Sequence, residues 1–184
     1  MRLISAFVMV AQLTSAQIIQ EIPSIDGHIV FAEVVKLDSV SKEEIYRRAK
    51  NYFITQFKSA KDVVQMDDKE EATVVGRGWQ DIYVQAGIET FAIQMWYKVR
   101  IQGKDDRYKY DVFDIEFTSY ASQYAASSTS PAENIFDVKA YYNQRGKPRN
   151  IPERYKDQTL KAVEGISAGI KKAMLVNVKG KDDW

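Results

Sequence analysis

Few side chains of this 184-residue sequence are suited to acid–base or nucleophilic chemistry, and they are not grouped. His28 is the single histidine, and there is no cysteine. A metal site with two histidines, a thiolate metal site and a disulfide are therefore excluded. A lone histidine at the start of a strand is typically structural or solvent-facing. We expect no catalytic residues, no metal site and no cofactor, and we predict that the protein is not an enzyme.

Paired carboxylates occur at three places, and each has a simpler explanation than catalysis. Asp67-Asp68 and Asp105-Asp106 fall in predicted turns, where aspartate is favoured because its side chain bonds to the nearby backbone. Neither pair has the ligand spacing of a calcium loop. Asp114 and Glu116 would share one strand face, as paired catalytic carboxylates can. A solvent-facing sheet surface accounts for them more simply.

The sequence Gly76-Arg77-Gly78 invites a phosphate-loop interpretation, but the pattern is incomplete. It has neither the spacing of a dinucleotide or Walker loop nor a helix after it. Two glycines one residue apart in a strand instead predict a bulge or the close approach of another group.

Aromatic side chains are the better candidates for binding. Trp96 falls on the predicted solvent-facing side of a strand. The candidate ligand contacts lie on two strands and on the C-terminal helix, and they are Trp79, Trp96, Tyr97, Ile166 and Gly169. Lysine and arginine total 26 against 25 aspartate and glutamate residues. A face that reads nucleic acid needs a basic surface, so we expect no nucleic-acid partner.

The elements that must position these residues are organised around a hairpin over 88–120. Apolar residues occupy alternate positions of its first strand, which is typical of a strand with one buried face. These residues are Phe91, Ile93, Met95, Tyr97, Val99 and Ile101. A turn at 103–106 leads into the return strand 107–119, where Phe113, Ile115 and Phe117 are predicted to share the buried face.

The other elements are marked by their caps and periodicity. A strand is predicted at 28–37, and two more at 62–66 and 72–84. A capping box formed by Ser41 and Glu44 starts a helix that ends near Lys58. A second helix is predicted over 152–175, with Asn150 as its cap. Gly165 and Gly169 lie near its apolar stripe and predict close approach to a sheet.

Short turns between sequential strands favour an antiparallel sheet. Both helices have one apolar stripe, so both are expected on the same face of that sheet. The predicted fold class is α+β, in two layers, with the order β-α-β-β-β-β-α. We assign 28–177 to one domain with an irregular insertion at about 121–149, after a lead-in at 17–27 and before a polar tail at 178–184.

The first sixteen residues have the layout of a secretory signal peptide. A positive start at Arg2 precedes an apolar run over 3–11, and Ala16 supplies a small residue before the expected cleavage site. The run is too short to cross a bilayer, and no later segment qualifies. We therefore expect a periplasmic or secreted protein without a lipid-bearing cysteine or a transmembrane segment.

The sequence resembles a family of exported Bacteroidetes proteins, a domain of unknown function with a TBP-like fold. The resemblance covers roughly 25–120 and, more loosely, the second helix. The segments that carry it are IVFAEVV at 29–35, SKEEIY at 41–46, FKSAKDVVQMDD at 57–68, GRG at 76–78, and 108–116. The resemblance implies the β-α-β4-α fold and an export route, and it brings no active site.

Two functions follow as hypotheses. The first is a non-enzymatic binding module that holds an apolar small ligand between the sheet and the C-terminal helix. The second is a structural or protein-interaction domain of the cell envelope, in which exposed aromatic residues and segment 121–149 contact an envelope protein. An enclosed apolar cavity favours the first, and a large exposed apolar patch favours the second.

Overall fold

The structure, a computed structural model, describes residues 22–56, 64–123 and 125–176. The predicted signal peptide, the end of the first helix, the first two residues of the 62–66 strand and the polar tail lie outside these ranges. The strands are β1 (Ser24–Ile25), β2 (His28–Lys36), β3 (Val64–Asp68), β4 (Thr73–Ala86), β5 (Glu89–Lys104), β6 (Arg107–Ser119) and β7 (Ser128–Pro131). The helices are α1 (Lys42–Gln56), α2 (Ala132–Phe136), α3 (Val138–Tyr141) and α4 (Asn150–Leu175).

The strands form one seven-stranded sheet in the order β1-β2-β6-β5-β4-β3, and β7 pairs with the second half of β6. Each pairing is antiparallel. The two long helices, α1 and α4, contact each other. α1 packs on β4 and β5, and α4 packs on β4. The predicted α+β class, with an antiparallel sheet and its helices on one face, is confirmed.

The core lies between this sheet and α1 and α4. Alternate residues of β5 from Ile93 to Ile101 are buried, as their period-two pattern predicts. Helix α1 contributes Ile45, Ala49 and Phe53, which are fully buried, and α4 contributes Ile170 and Met174. The other face of the sheet carries no described helix.

A bulge in β6 corrects the predicted face of Phe113. Trp96 pairs with Glu116 and Lys98 pairs with Phe113, so β6 has one more residue than β5 over this interval. Asp114 takes up the extra length with a φ of 52°. The bulge reverses the side-chain alternation. Ile115 is therefore buried under the helices, whereas Phe113 lies on the opposite face.

Glycines in the long strands also differ from expectation. β4 pairs with β5 without a register shift from Thr73 to Ala86, so the bulge predicted at Gly76-Arg77-Gly78 is not there. The irregularity next to Gly76 lies in β3, between Val64 and Met66. Ile45 of α1 closely approaches Gly103, which was assigned to the turn from the sequence but lies within β5.

The two glycines of α4 were predicted to bring that helix close to the sheet, and neither does so. A Cβ atom added to Gly165 would meet no heavy atom within 4 Å. At Gly169 it would lie 3.8 Å from Cε2 of Tyr52, which belongs to α1 rather than to the sheet. Both glycines therefore have room for a methyl group.

The helix starts were predicted with mixed success. The Ser41 hydroxyl accepts a hydrogen bond from the backbone N–H of Glu44 at 3.3 Å, as in a capping box. The carboxylate of Glu44, however, binds the guanidinium groups of Arg47 and Arg48. The prediction that Asn150 caps the second helix is wrong, because Asn150 is its first residue and Arg149 occupies the cap position without a side-chain bond.

The segment 121–149 packs on one end of the sheet through β7, α2 and α3. The ring of Phe136 meets Phe117 edge-on, with centroids 6.2 Å apart, and Phe117 meets Tyr155 of α4 at 4.9 Å. The carboxylate of Glu133 accepts a hydrogen bond from the backbone N–H of Ile29 at 3.0 Å. These contacts tie the segment to β2, β6 and α4. None of the helices within the described ranges is long and apolar enough to cross a membrane.

Candidate functional site

The helix-free face of the sheet is the surface on which exposed aromatic residues collect. We call it the open face, and define it by the outward-facing residues of β4, β5 and β6. On β4 every second side chain points outward here, giving Arg77, Trp79, Asp81 and Tyr83. The alternate residues of β4, such as Ile82 and Val84, are buried beneath the helices.

The cations at the centre of the open face each have a carboxylate partner. These ion pairs are Arg77–Glu116 at 2.8 Å, Lys98–Asp114 at 2.7 Å, Arg100–Asp111 at 2.6 Å and Lys109–Asp111 at 3.0 Å. Asp111, whose exposed fraction is 2%, lies between its two cations. The ladder of pairs leaves this part of the face close to electrically neutral.

Two tryptophans from neighbouring strands lie side by side on this face. Trp79 and Trp96 are direct cross-strand partners, with ring centroids 6.1 Å apart and planes inclined by 45°. The guanidinium carbon of Arg77 lies 4.5 Å from the centre of the Trp96 ring. The Trp96 indole N–H donates to Oε1 of Gln94 at 2.9 Å. These contacts hold Trp96 in place, whereas Trp79 keeps 49% of its surface exposed.

A polar group lies between the aromatic residues of β4. Asp81 is exposed and follows Trp79 by two residues, so the two side chains lie about 7 Å apart along the strand. The hydroxyl of Tyr120, which follows β6, donates a hydrogen bond to Oδ1 of Asp81 at 2.7 Å. This hydrogen bond is the main reason why the pKa of Tyr120 is raised. Tyr83, 59% exposed, completes the row.

The structure divides the residues that the sequence suggested as ligand contacts between the two faces of the sheet. Trp79 and Trp96 are brought together on the open face. Tyr97 and Ile166 are buried among the helices on the other side, where burial raises the pKa of Tyr97 to about 12. Gly169 lies against Tyr52. The five candidates therefore do not form one site.

The depressions beside α4 are open grooves. One lies between Phe31 of β2 and the helix residues Leu160 and Glu164. Another lies between Tyr83 of β4 and Gln158. Ile166 itself packs in the core, with 6% of its surface exposed.

Metal binding finds no support in the side-chain arrangement. Within residues 22–56, 64–123 and 125–176, no group of three or more histidine, aspartate and glutamate residues could hold an ion. The carboxylates of Asp114 and Glu116 are instead engaged with Lys98 and Arg77.

Sequence reasoning missed Asp81, Gln94 and Tyr120, whose polar groups lie beside the two tryptophans. The usable signal was on β4, where Trp79, Asp81 and Tyr83 alternate with the buried residues. The other two, Gln94 and Tyr120, come from β5 and from the end of β6. Gln94 lies beside Trp96 on the same strand, but its pairing with Asp81 and the approach of Tyr120 to Asp81 depend on the strand register, which the hydrophobic pattern alone did not give.

An antiparallel sheet with helices on one face and the other face open defines a two-layer α+β protein of the TBP-like kind. Residues 31–118 match the family model of DUF4468, a domain of unknown function with TBP-like fold. This segment, just under half of the chain, is similar to the DUF4468 family, whose function is unknown.

Two solved structures share the fold. A DUF4468 family protein from Bacteroides ovatus is 17% identical, with a TM-score of 0.70 over 86% of this chain and 94% of that one. A TBP-like protein from Parabacteroides distasonis is 21% identical, with a TM-score of 0.61 over 83% of this chain and 96% of that one. A comparison with curated proteins gave no match. At these identities the likeness establishes the fold alone.

Proposed function

We propose that this protein is an exported, non-enzymatic binding module whose open face binds an uncharged carbohydrate chain. The observation that carries the proposal is the exposed indole of Trp79 beside Trp96, on a face whose central cations are already paired. Sugar rings present flat C–H surfaces that stack on aromatic rings, and their hydroxyls bond to nearby polar groups. The aromatic and polar residues of β4 supply both kinds of contact.

The charge balance of the open face favours a neutral ligand. A protein that binds nucleic acid neutralises phosphates with lysine and arginine side chains. Here Arg77, Lys98 and Arg100 are each within 2.8 Å of a carboxylate oxygen. A polyanion would have to displace those carboxylates, whereas a neutral chain leaves the ion pairs intact.

A protein partner fits the open face less well, although the fully exposed side chain of Ile88 in the β4–β5 turn favours such a partner. The centres of protein interfaces are depleted in charged residues, and the centre of the open face is a ladder of ion pairs. An apolar ligand between the sheet and α4 has less support, because Ile166 and Ile170 are packed in the core.

The export part of the proposal has its own test. The layout of the first sixteen residues predicts removal before Gln17. We expect N-terminal sequencing of the protein from the envelope or culture-medium fraction to begin at Gln17. A cytoplasmic protein that begins at Met1 would contradict export.

Binding is tested by isothermal titration calorimetry with four neutral hexasaccharides, namely maltohexaose, cellohexaose, β-1,4-mannohexaose and xylohexaose. We expect at least one to bind, and Trp79→Ala to weaken its binding roughly tenfold. Losing about 60 Å² of apolar contact at about 25 cal/mol per Å² corresponds to about 1.5 kcal/mol. Because Trp79 is half exposed, the substitution should leave the fold intact.

Phe91→Ala is the matched control, since Phe91 is an aromatic residue of nearly the same exposure on the opposite face of the β4–β5 hairpin. We expect this variant to bind like the wild type. Binding by no hexasaccharide would overturn the proposal, and so would equal losses in both variants. Purification of a stoichiometric protein partner with the wild type, lost in Trp79→Ala, would assign the face to protein interaction.

A further inference from the structure

We propose that Asp81 and Gln94 form a subsite that selects one sugar residue by the orientation of two adjacent hydroxyls. This inference rests on the proposed carbohydrate-binding function. Asp81 and Gln94 are direct cross-strand partners on β4 and β5, so their Cβ atoms lie about 5 Å apart. They lie beside the Trp79–Trp96 pair, on the side towards Tyr83.

The two side chains offer one acceptor and one donor that the described chain leaves available. Oδ1 of Asp81 accepts from Tyr120, and no described residue donates to its Oδ2. Oε1 of Gln94 accepts from the indole of Trp96, which turns the amide nitrogen away from that ring. The amide nitrogen of Gln94 donates to no described residue.

A pair of neighbouring hydroxyls complements this arrangement. One hydroxyl donates to the Asp81 carboxylate, and the next accepts from the Gln94 amide. If either hydroxyl is turned to the other face of the sugar, a polar group in the site loses its partner. Sites built to bond a hydroxyl discriminate strongly against analogues that cannot supply it.

Tyr120 is a positioning residue in this subsite. Its hydroxyl fixes Oδ1 of Asp81, which leaves Oδ2 directed at the ligand. Ala92, the cross-strand partner of Tyr83, has a small side chain beside this cluster. Without the Tyr120 hydroxyl the carboxylate is free to rotate, and the orientation that distinguishes the two hydroxyls is lost.

The test compares cellohexaose with β-1,4-mannohexaose, in which each sugar residue differs only in the orientation of its C2 hydroxyl, next to the C3 hydroxyl. We expect the wild type to prefer one of them by roughly tenfold to a hundredfold, the range for a hydrogen bond to a charged group. Asp81→Asn should reduce this preference to nearly one. Tyr120→Phe should reduce it roughly fivefold. Tyr142→Phe, which removes a tyrosine hydroxyl beside Tyr141 and away from the open face, should retain it.

The stacking residue separates the two proposals. Trp79→Ala should weaken the binding of both hexasaccharides by the same factor and leave the preference unchanged. If the wild type binds both equally, or if Asp81→Asn keeps the preference, the subsite is wrong and the carbohydrate-binding face stands. If none of the four hexasaccharides binds, both proposals fall.

Discussion

Replacing Arg48 with methionine is expected to lower the free energy of unfolding by about 3–5 kcal/mol, the range for removing one partner of a buried ion pair. Arg48 is 8% exposed, and its Nε donates to Oε1 of Glu44 at 2.8 Å. Its Nη1 donates to the carbonyl of Met174 in the last turn of α4. Carbonyls there lack helical partners, so the variant leaves a buried carbonyl as well as a carboxylate without this donor. Urea unfolding followed by circular dichroism measures the change.

Arg47→Met is the control for this prediction. Arg47 also contacts the Glu44 carboxylate, but its side chain is 53% exposed. Ion pairs three or four residues apart on a helix surface contribute about 0.2–0.5 kcal/mol. A similar loss of stability in both variants would show that Arg48 does not join α1 to α4 as described.

Gly103→Ala is expected to destabilise the protein by about 2–3 kcal/mol, as overpacking of a core usually does. An alanine Cβ would lie 2.8 Å from Cγ2 of Ile45 and 3.4 Å from the carbonyl oxygen of Lys42. Ile45 is fully buried, so its side chain has little room to move. The α1 helix would have to shift away from β5. Chemical unfolding of the variant measures the cost.

A second glycine gives the opposite expectation. Gly165→Ala adds its methyl group in open space within a helix, and should stabilise the protein by about 0.5–1 kcal/mol.

The double variant Gly103→Ala/Ile45→Ala should lose less stability than the sum of the losses in its single variants, because Ile45→Ala removes the Cγ2 atom that the new methyl group meets. If the two losses of stability are additive, contact with Ile45 is not the cause of the strain in Gly103→Ala.

The sequence predicted the parts of the fold that depend on short-range patterns. The alternation in β5 identified its buried face, and Ser41 identified the start of α1. The bulge at Asp114 escaped although the buried apolar positions of β6 change phase there, from Tyr108, Tyr110 and Val112 to Ile115 and Phe117. The role of Gly103 escaped because only the packing of α1 on β5 reveals it.

The candidate site was predictable only in part. Trp96 was correctly placed on the solvent-facing side, and the balance of charges around it was recognised. The pairing of Trp79 with Trp96 depends on the β4–β5 register. Tyr120, which follows β6, reaches over β5 to Asp81 on β4, so their contact depends on the pairing of three strands. Residues that meet across strands are separated in sequence by amounts that periodicity does not encode.

The pairing of β2 with β6 has a consequence for the order in which the chain folds. β4, β5 and β6 are joined by turns at 87–88 and 105–106, so they can form a meander through local contacts. β2 is made long before its partner, since Val30 pairs with Phe113 and Lys36 with Arg107. Closing so large a loop is entropically costly and slow. β2 therefore cannot pair with β6 during synthesis until the residues from Arg107 to Phe113 have been made, whereas β4, β5 and β6 pair with their neighbours in sequence.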